Sequence, residues 1–132
     1  VDFVATWTEL QVYIRSNYKI QEDSAKSLKL VFDLDEGRSQ LVIVCLNELR
    51  DGTEWFSIES VIGRFGSVHL PTAISRVETM VCGSIARLGD FVVLRHSAPL
   101  GNLSADEFEL PLKMVTASAD SLERELVGGD EF

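Results

Sequence analysis

A chain of 132 residues, 45% hydrophobic and 25% charged, has the size and composition of one ordinary folded domain, able to bury a core without disulfide or metal staples. Its formal net charge is −9, and residues 104–132 carry 8 acidic against 2 basic side chains. Such a field repels phosphate backbones and anionic headgroups, so nucleic acid and membrane surfaces are poor partners; the acidic excess reads as a solvated helix face, with a basic client as the alternative. The longest unbroken apolar run, Leu41 to Leu46, falls far short of the ~18 residues that span a bilayer. No basic region followed by an apolar stretch marks a signal peptide.

Thr6-x-x-Glu9 has the form of a capping box. Val4, Trp7, Leu10 and Ile14 at helical spacing predict a first helix that starts there, or as early as Asp2, and ends near Ser16 or Asn17. A short strand around Lys19 to Glu22 would pair at a sheet edge. Leu28, Leu30, Phe32 and Leu34 alternate with Ser27, Lys29, Val31 and Asp33, a half-buried strand that turns at Asp35-Glu36-Gly37. Leu41 to Leu46 is apolar on both faces, which predicts a central strand covered on both sides. Asp51-Gly52 is a hairpin turn. After it, Phe56, Ile58 and Ile62 share one face, and Trp55, Ser57, Glu59 and Val61 the other.

Gly63 to Gly66 breaks that pattern. A second helix is predicted over Leu70 to Cys82, with Pro71 in its first turn, Gly83 as its cap and Leu70, Ile74, Val77 and Val81 as its apolar stripe. Ile85 to Leu88 and Phe91 to Ser97 flank Gly89-Asp90, another tight hairpin. Ser104-Ala105-Asp106-Glu107 opens a third helix on which Phe108, Leu112, Val115, Ala119, Leu122 and Leu126 repeat. Pro111 either kinks this helix or separates a single turn from a main helix starting near Leu110. Gly128-Gly129 ends it. The sum is a single α+β domain over 1–132: an antiparallel five-stranded sheet with three helices in the order α-β-β-β-α-β-β-α.

Catalytic chemistry is hard to find. Cys45 in an apolar strand and Cys82 at a helix end read as small buried thiols of a reducing, cytoplasmic compartment, with a disulfide as the alternative. His69 and His96 are the only histidines, and no Cys or His pair has ligand spacing. His69 is placed near a helix N-terminus, and His96 at a strand end with a hydrogen-bond partner. Gly63-Arg64-Phe65-Gly66-Ser67 lacks the ending of a phosphate loop. Asp33, Asp35 and Glu36 read as a solvated hairpin end. Arg95, the charge on an apolar strand, has two readings: a bidentate contact to a partner's carboxylate, or an ion pair with an acidic residue of the third helix. No catalytic residue, cofactor-binding residue or metal ligand is expected, and no cofactor.

Gly128-Gly129-Asp130-Glu131-Phe132 spells the signature of diguanylate cyclases. In those enzymes the string sits in a hairpin inside a domain longer than this whole chain, and nothing upstream here offers the rest of a nucleotide site. Residues 129–132 are expected to contribute little packing.

The element order in a small acidic chain resembles the type III secretion chaperones and the YbjN-like proteins related to them. The local likeness lies in Gly37-Arg38-Ser39-Gln40-Leu41-Val42-Ile43-Val44, in Trp55 to Gly63 and, for the actinobacterial YbjN-like branch, in Gly89 to Leu100 and Ala119-Asp120-Ser121-Leu122-Glu123. The resemblance implies a peptide- or protein-binding chaperone, often a homodimer, that holds a partner segment in extended form without catalysis. A regulatory adaptor gripping one folded partner is the alternative. Alternation places Leu28, Leu30, Phe32, Phe56, Ile58, Val92 and Leu94 on the helix-covered side of the sheet. Val31, Trp55, Val61, Phe91 and Val93 then lie on the opposite side. With Arg95 they are the candidate partner-binding residues, unless a helix crosses over and makes both faces ordinary core.

Overall fold

Short hairpins build most of the sheet. The structure is a computed structural model that describes residues 3–128 and 132. Its strands are β1 (Phe3–Val4), β2 (Ile20–Asp23), β3 (Ser27–Asp33), β4 (Ser39–Glu48), β5 (Glu54–Arg64), β6 (Ser84–Leu88), β7 (Phe91–Pro99) and β8 (Leu103–Ser104). Its helices are α1 (Trp7–Asn17), α2 (Leu70–Val77) and α3 (Ala105–Leu126). The α+β class stands, but the sheet has six antiparallel strands in the order β2-β3-β4-β5-β7-β6, where five were expected. The sixth is the edge strand β2, which pairs with β3 from Ile20↔Leu30 to Asp23↔Leu28. A separate antiparallel pair, β1 with β8, ties the start of α1 to the start of α3.

All three helices lie on one side of this sheet. Trp7, Leu10 and Ile14 of α1, Ala73 of α2 and Phe108, Leu112, Val115, Ala119 and Leu122 of α3 join Leu28, Leu30, Val42, Val44, Phe56, Ile58, Val92 and Leu94 in one core. The alternation read from the sequence therefore chose the covered face correctly. The expectation for Leu41 to Leu46 does not hold: Val42 and Val44 are buried, while Leu41, Ile43 and Cys45 on the other face are only half-buried. An apolar run on both faces of β4 reflects a second surface without a helix over it.

Thr6 caps α1 and Ser104 caps α3, the latter with the full reciprocal box to Glu107. Pro111 is buried inside an unbroken α3, so no separate turn precedes the main helix. α2 is shorter than its periodicity predicts. It tightens into three-residue bonds, Glu78 N–H to Ser75 O and Met80 N–H to Val77 O, and stops. Of its predicted apolar stripe, Leu70 and Val77 pack against the core beside the buried Ala73, whereas Ile74 and Val81 are exposed. On α3, Glu109 accepts hydrogen bonds from the hydroxyls of both Tyr13 and Tyr18 and so locks the far end of α1. Burial first, and the Glu109 carboxylate second, push the Tyr18 phenol well above its ordinary range.

The end of α3 comes very close to β5 at Gly63. A Cβ there would lie 2.6 Å from Cγ2 of Val68 and 2.8 Å from Cγ2 of Val127. Overpacking of this kind costs about 1–3 kcal/mol. Gly63→Ala should therefore lower the unfolding free energy by that amount, read as a lower urea midpoint with the slope unchanged; an unaffected midpoint would show that the two valines give way freely.

Candidate functional site

The geometry singles out the outer edge of β7. β6 lies beside β7 only from Leu88↔Phe91 to Ser84↔Arg95. Upstream of Ser84 the chain leaves the sheet at Gly83, whose φ of +113° suits glycine. Residues 96–99 of β7 consequently pair with β5 on one side and have no strand on the other among the described residues. The alternation that turns the backbone of Phe91, Val93 and Arg95 towards β6 continues to Ser97, so its N–H and C=O face that open edge. Pro99, which has no N–H to leave unpaired, ends the strand.

On the helix side of this edge lies a groove of about 510 Å³, between α3, the end of β7 and the segment before β6. Leu110, Pro111 and Met114 line it from α3, Ala98 and Pro99 from β7, and Val81 from the segment after α2. Val81 is 87% exposed, Leu110 60% and Met114 40%, an unusual grouping of large apolar side chains in water. Asp106 and Glu107 at the start of α3 make the rim acidic. Cys82, His96 and Asp106 line the same groove, but among the described residues no hydrogen bond joins them. Partial burial lowers the pKa of His96. His69, placed near a helix start from sequence, is the N-cap of α2.

The opposite face of the sheet carries the residues assigned to a partner. Val31 is exposed, Trp55 and Phe91 are half-buried, and Val61 and Val93 are buried. Arg95 has an internal partner, but not on α3. Its Nε and Nη2 donate to Oε2 of Glu59 at 3.1 and 2.7 Å. Glu59 lies directly opposite in the β5–β7 register, and α3 is on the other side of the sheet, out of reach. Beside this pair Asn47 donates to the Ser57 hydroxyl, which lies 3.0 Å from that of Ser97. Cys45 and Cys82 are free thiols. Burial, with Glu59 second, pushes the Cys45 thiol up to about 12.

At the other end of this face Phe132 packs its ring edge-on against Phe91, centroids 5.5 Å apart. The expectation of little packing from residues 129–132 thus fails for Phe132, while Gly129, Asp130 and Glu131 lie outside the described residues. Sequence reasoning missed both the groove and this contact. Val81, His96 and Leu110 are far apart in the chain, and only the fold brings them together.

Comparison with known proteins adds no assignment: no family model and no curated protein matches the chain. Among the described residues no helix is long and apolar enough to cross a membrane.

Two measurements check the electrostatics. The unfolded chain takes up a proton on His96 near its ordinary pKa of about 6.5, while the folded chain resists it. Stability should then fall as pH drops from about 7.5 to about 5.5, and His96→Gln should lose less over that range; equal losses would assign the slope to other groups. In Cys82→Ser protein, Cys45 should react with iodoacetamide near pH 8 far more slowly than a free cysteine, because so little of it is thiolate. A rate like that of free cysteine would contradict the burial and the Glu59 contact.

Proposed function

We propose that the protein is a non-enzymatic peptide-binding chaperone of the YbjN and secretion-chaperone kind, holding an extended segment of a client in the groove between α3 and β7. One observation carries this reading: an unpaired strand edge lies directly beside exposed apolar side chains. An added strand could bond to Ser97 through its backbone and lower alternate side chains onto Leu110, Met114 and Val81. The acidic rim and the net charge of −9 favour a segment that mixes apolar and basic residues. A homodimer in a reducing cytoplasm belongs to the same proposal, with the opposite sheet face available to the second copy; light scattering reads its mass directly. The adaptor reading predicts capture of folded domains only.

Leu110→Asp and Met114→Glu change exposed positions, so each should alter stability by no more than about 0.5 kcal/mol. Each should also weaken capture of a permanently unfolded, carboxymethylated model client by about tenfold, the loss expected when an apolar contact of roughly 1.4 kcal/mol is replaced by a charge. Undiminished capture by both variants would exclude the groove.

A further inference from the structure

The β4–β5 ladder opens one pair early. Its register runs from Glu48↔Glu54 to Ile43↔Glu59, and Leu41 with Val61 would be the next hydrogen-bonded pair. Side chains and a distant residue take over the bonds instead. Gln40 Nε2 donates to the Val61 carbonyl at 3.1 Å, and the Ser60 hydroxyl donates to the Leu41 carbonyl at 2.6 Å. The Leu41 N–H donates to the carbonyl of Phe132 at 2.8 Å. The N–H of Phe132 in turn donates to Oε2 of Glu123, a fully buried carboxylate on α3, also at 2.8 Å. Its ring meets Phe91, and the Arg64 guanidinium stands 5.4 Å from the centre of the Phe91 ring and 5.8 Å from that of Phe132. One residue is thus held by its N–H, its carbonyl and its side chain together, in a gap between two strands.

We infer that this gap is a second peptide-binding site: a socket for one aromatic residue of an extended partner segment, which Phe132 fills in cis. The backbone bonds set the direction of the segment, and the Phe91–Arg64 pair selects an aromatic ring. The guanidinium above the ring favours acidic residues beside the aromatic one, as in the string Gly128-Gly129-Asp130-Glu131-Phe132 itself. A client with such a segment must displace Phe132, so its apparent affinity falls with the fraction of time Phe132 is docked. The biological use of this socket rests on the peptide-binding reading, but its residues are separate from the groove.

A fluorescently labelled Gly-Gly-Asp-Glu-Phe peptide, followed by anisotropy, tests the socket. It should bind Phe132→Ala at least about tenfold more tightly than the wild-type chain. Adding Phe91→Ala should abolish that binding, and adding Leu110→Asp should leave it intact. Binding no tighter to Phe132→Ala, or retained with Phe91→Ala, overturns the inference, as does equal binding of Gly-Gly-Asp-Glu-Ala. Should Phe132→Ala lose its cooperative melt, the wild-type chain with excess pentapeptide gives the same reading. A shift of the chain's own Phe132 amide resonance on adding that peptide supports displacement, and its absence refutes it. Failure of unfolded-client capture at the groove would leave these results unchanged, so the two readings can fall separately.

Discussion

Packing of α3 across the central strands is the constraint on which the remaining structure depends. Phe108 meets Phe56 edge-on at 5.8 Å between ring centres, and Tyr13 of α1 closes on the same ring at 6.0 Å. Leu112, Val115, Ala119 and Leu122 continue the seam along the helix. Full burial of each large side chain contributes about 1.5–3 kcal/mol, so this one helix supplies much of the drive to fold. Because α1 and α2 join the same layer, the other side of the sheet is left to cover itself. Among the described residues its cover includes the Glu59–Arg95 pair, the hydroxyls of Ser57 and Ser97, and the rings of Phe91 and Phe132.

The same constraint explains why charge is buried where α3 ends. Glu123 and Asp120 point inwards, and Arg38 answers both, with its Nε 2.8 Å from Asp120 and its Nη2 3.8 Å from Glu123. Taking these ions from water is costly unless geometry and further hydrogen bonds compensate. The N–H of Phe132 is one such bond to Glu123. The last turn of the helix and the open end of the β4–β5 ladder are therefore one electrostatic unit.

What could be read from the chain was what neighbouring residues decide among themselves. Gly89-Asp90 and Asp51-Gly52 set their hairpins, and Ser104 with Glu107 set the start of α3, because each signal acts over a few residues. Alternation along β3, β5 and β7 marked the core face for the same reason. Of the two readings of Pro111, the split helix is excluded, because α3 runs unbroken from Ala105 to Leu126. The apolar stripe of α2 held for Leu70 and Val77 and failed for Ile74 and Val81, because periodicity says nothing of whether a partner surface lies within reach. The acid opposite Arg95 depended on strand register, and the groove on where β6 stops beside β7. Both are products of the whole fold. Residues Val31, Trp55, Val61, Phe91, Val93 and Arg95 do share a sheet face, but Val61 and Val93 are buried within it.

The order of strands carries a consequence for synthesis of the chain. β2, β3, β4 and β5 form a meander of successive neighbours, complete once residue 64 has been made. Its greasy face then waits for α3, which begins only at Ala105. In between, β5 must take β7 as its neighbour across the intervening α2, the one long-range join in the six-stranded sheet. A nascent chain at this stage presents Leu28, Leu30, Val44, Phe56 and Ile58 under α1 alone. A ribosome emits only about 5–20 residues per second, so that exposure lasts for seconds. The protein proposed to shield the extended segments of others is, during its own birth, a substrate for such shielding.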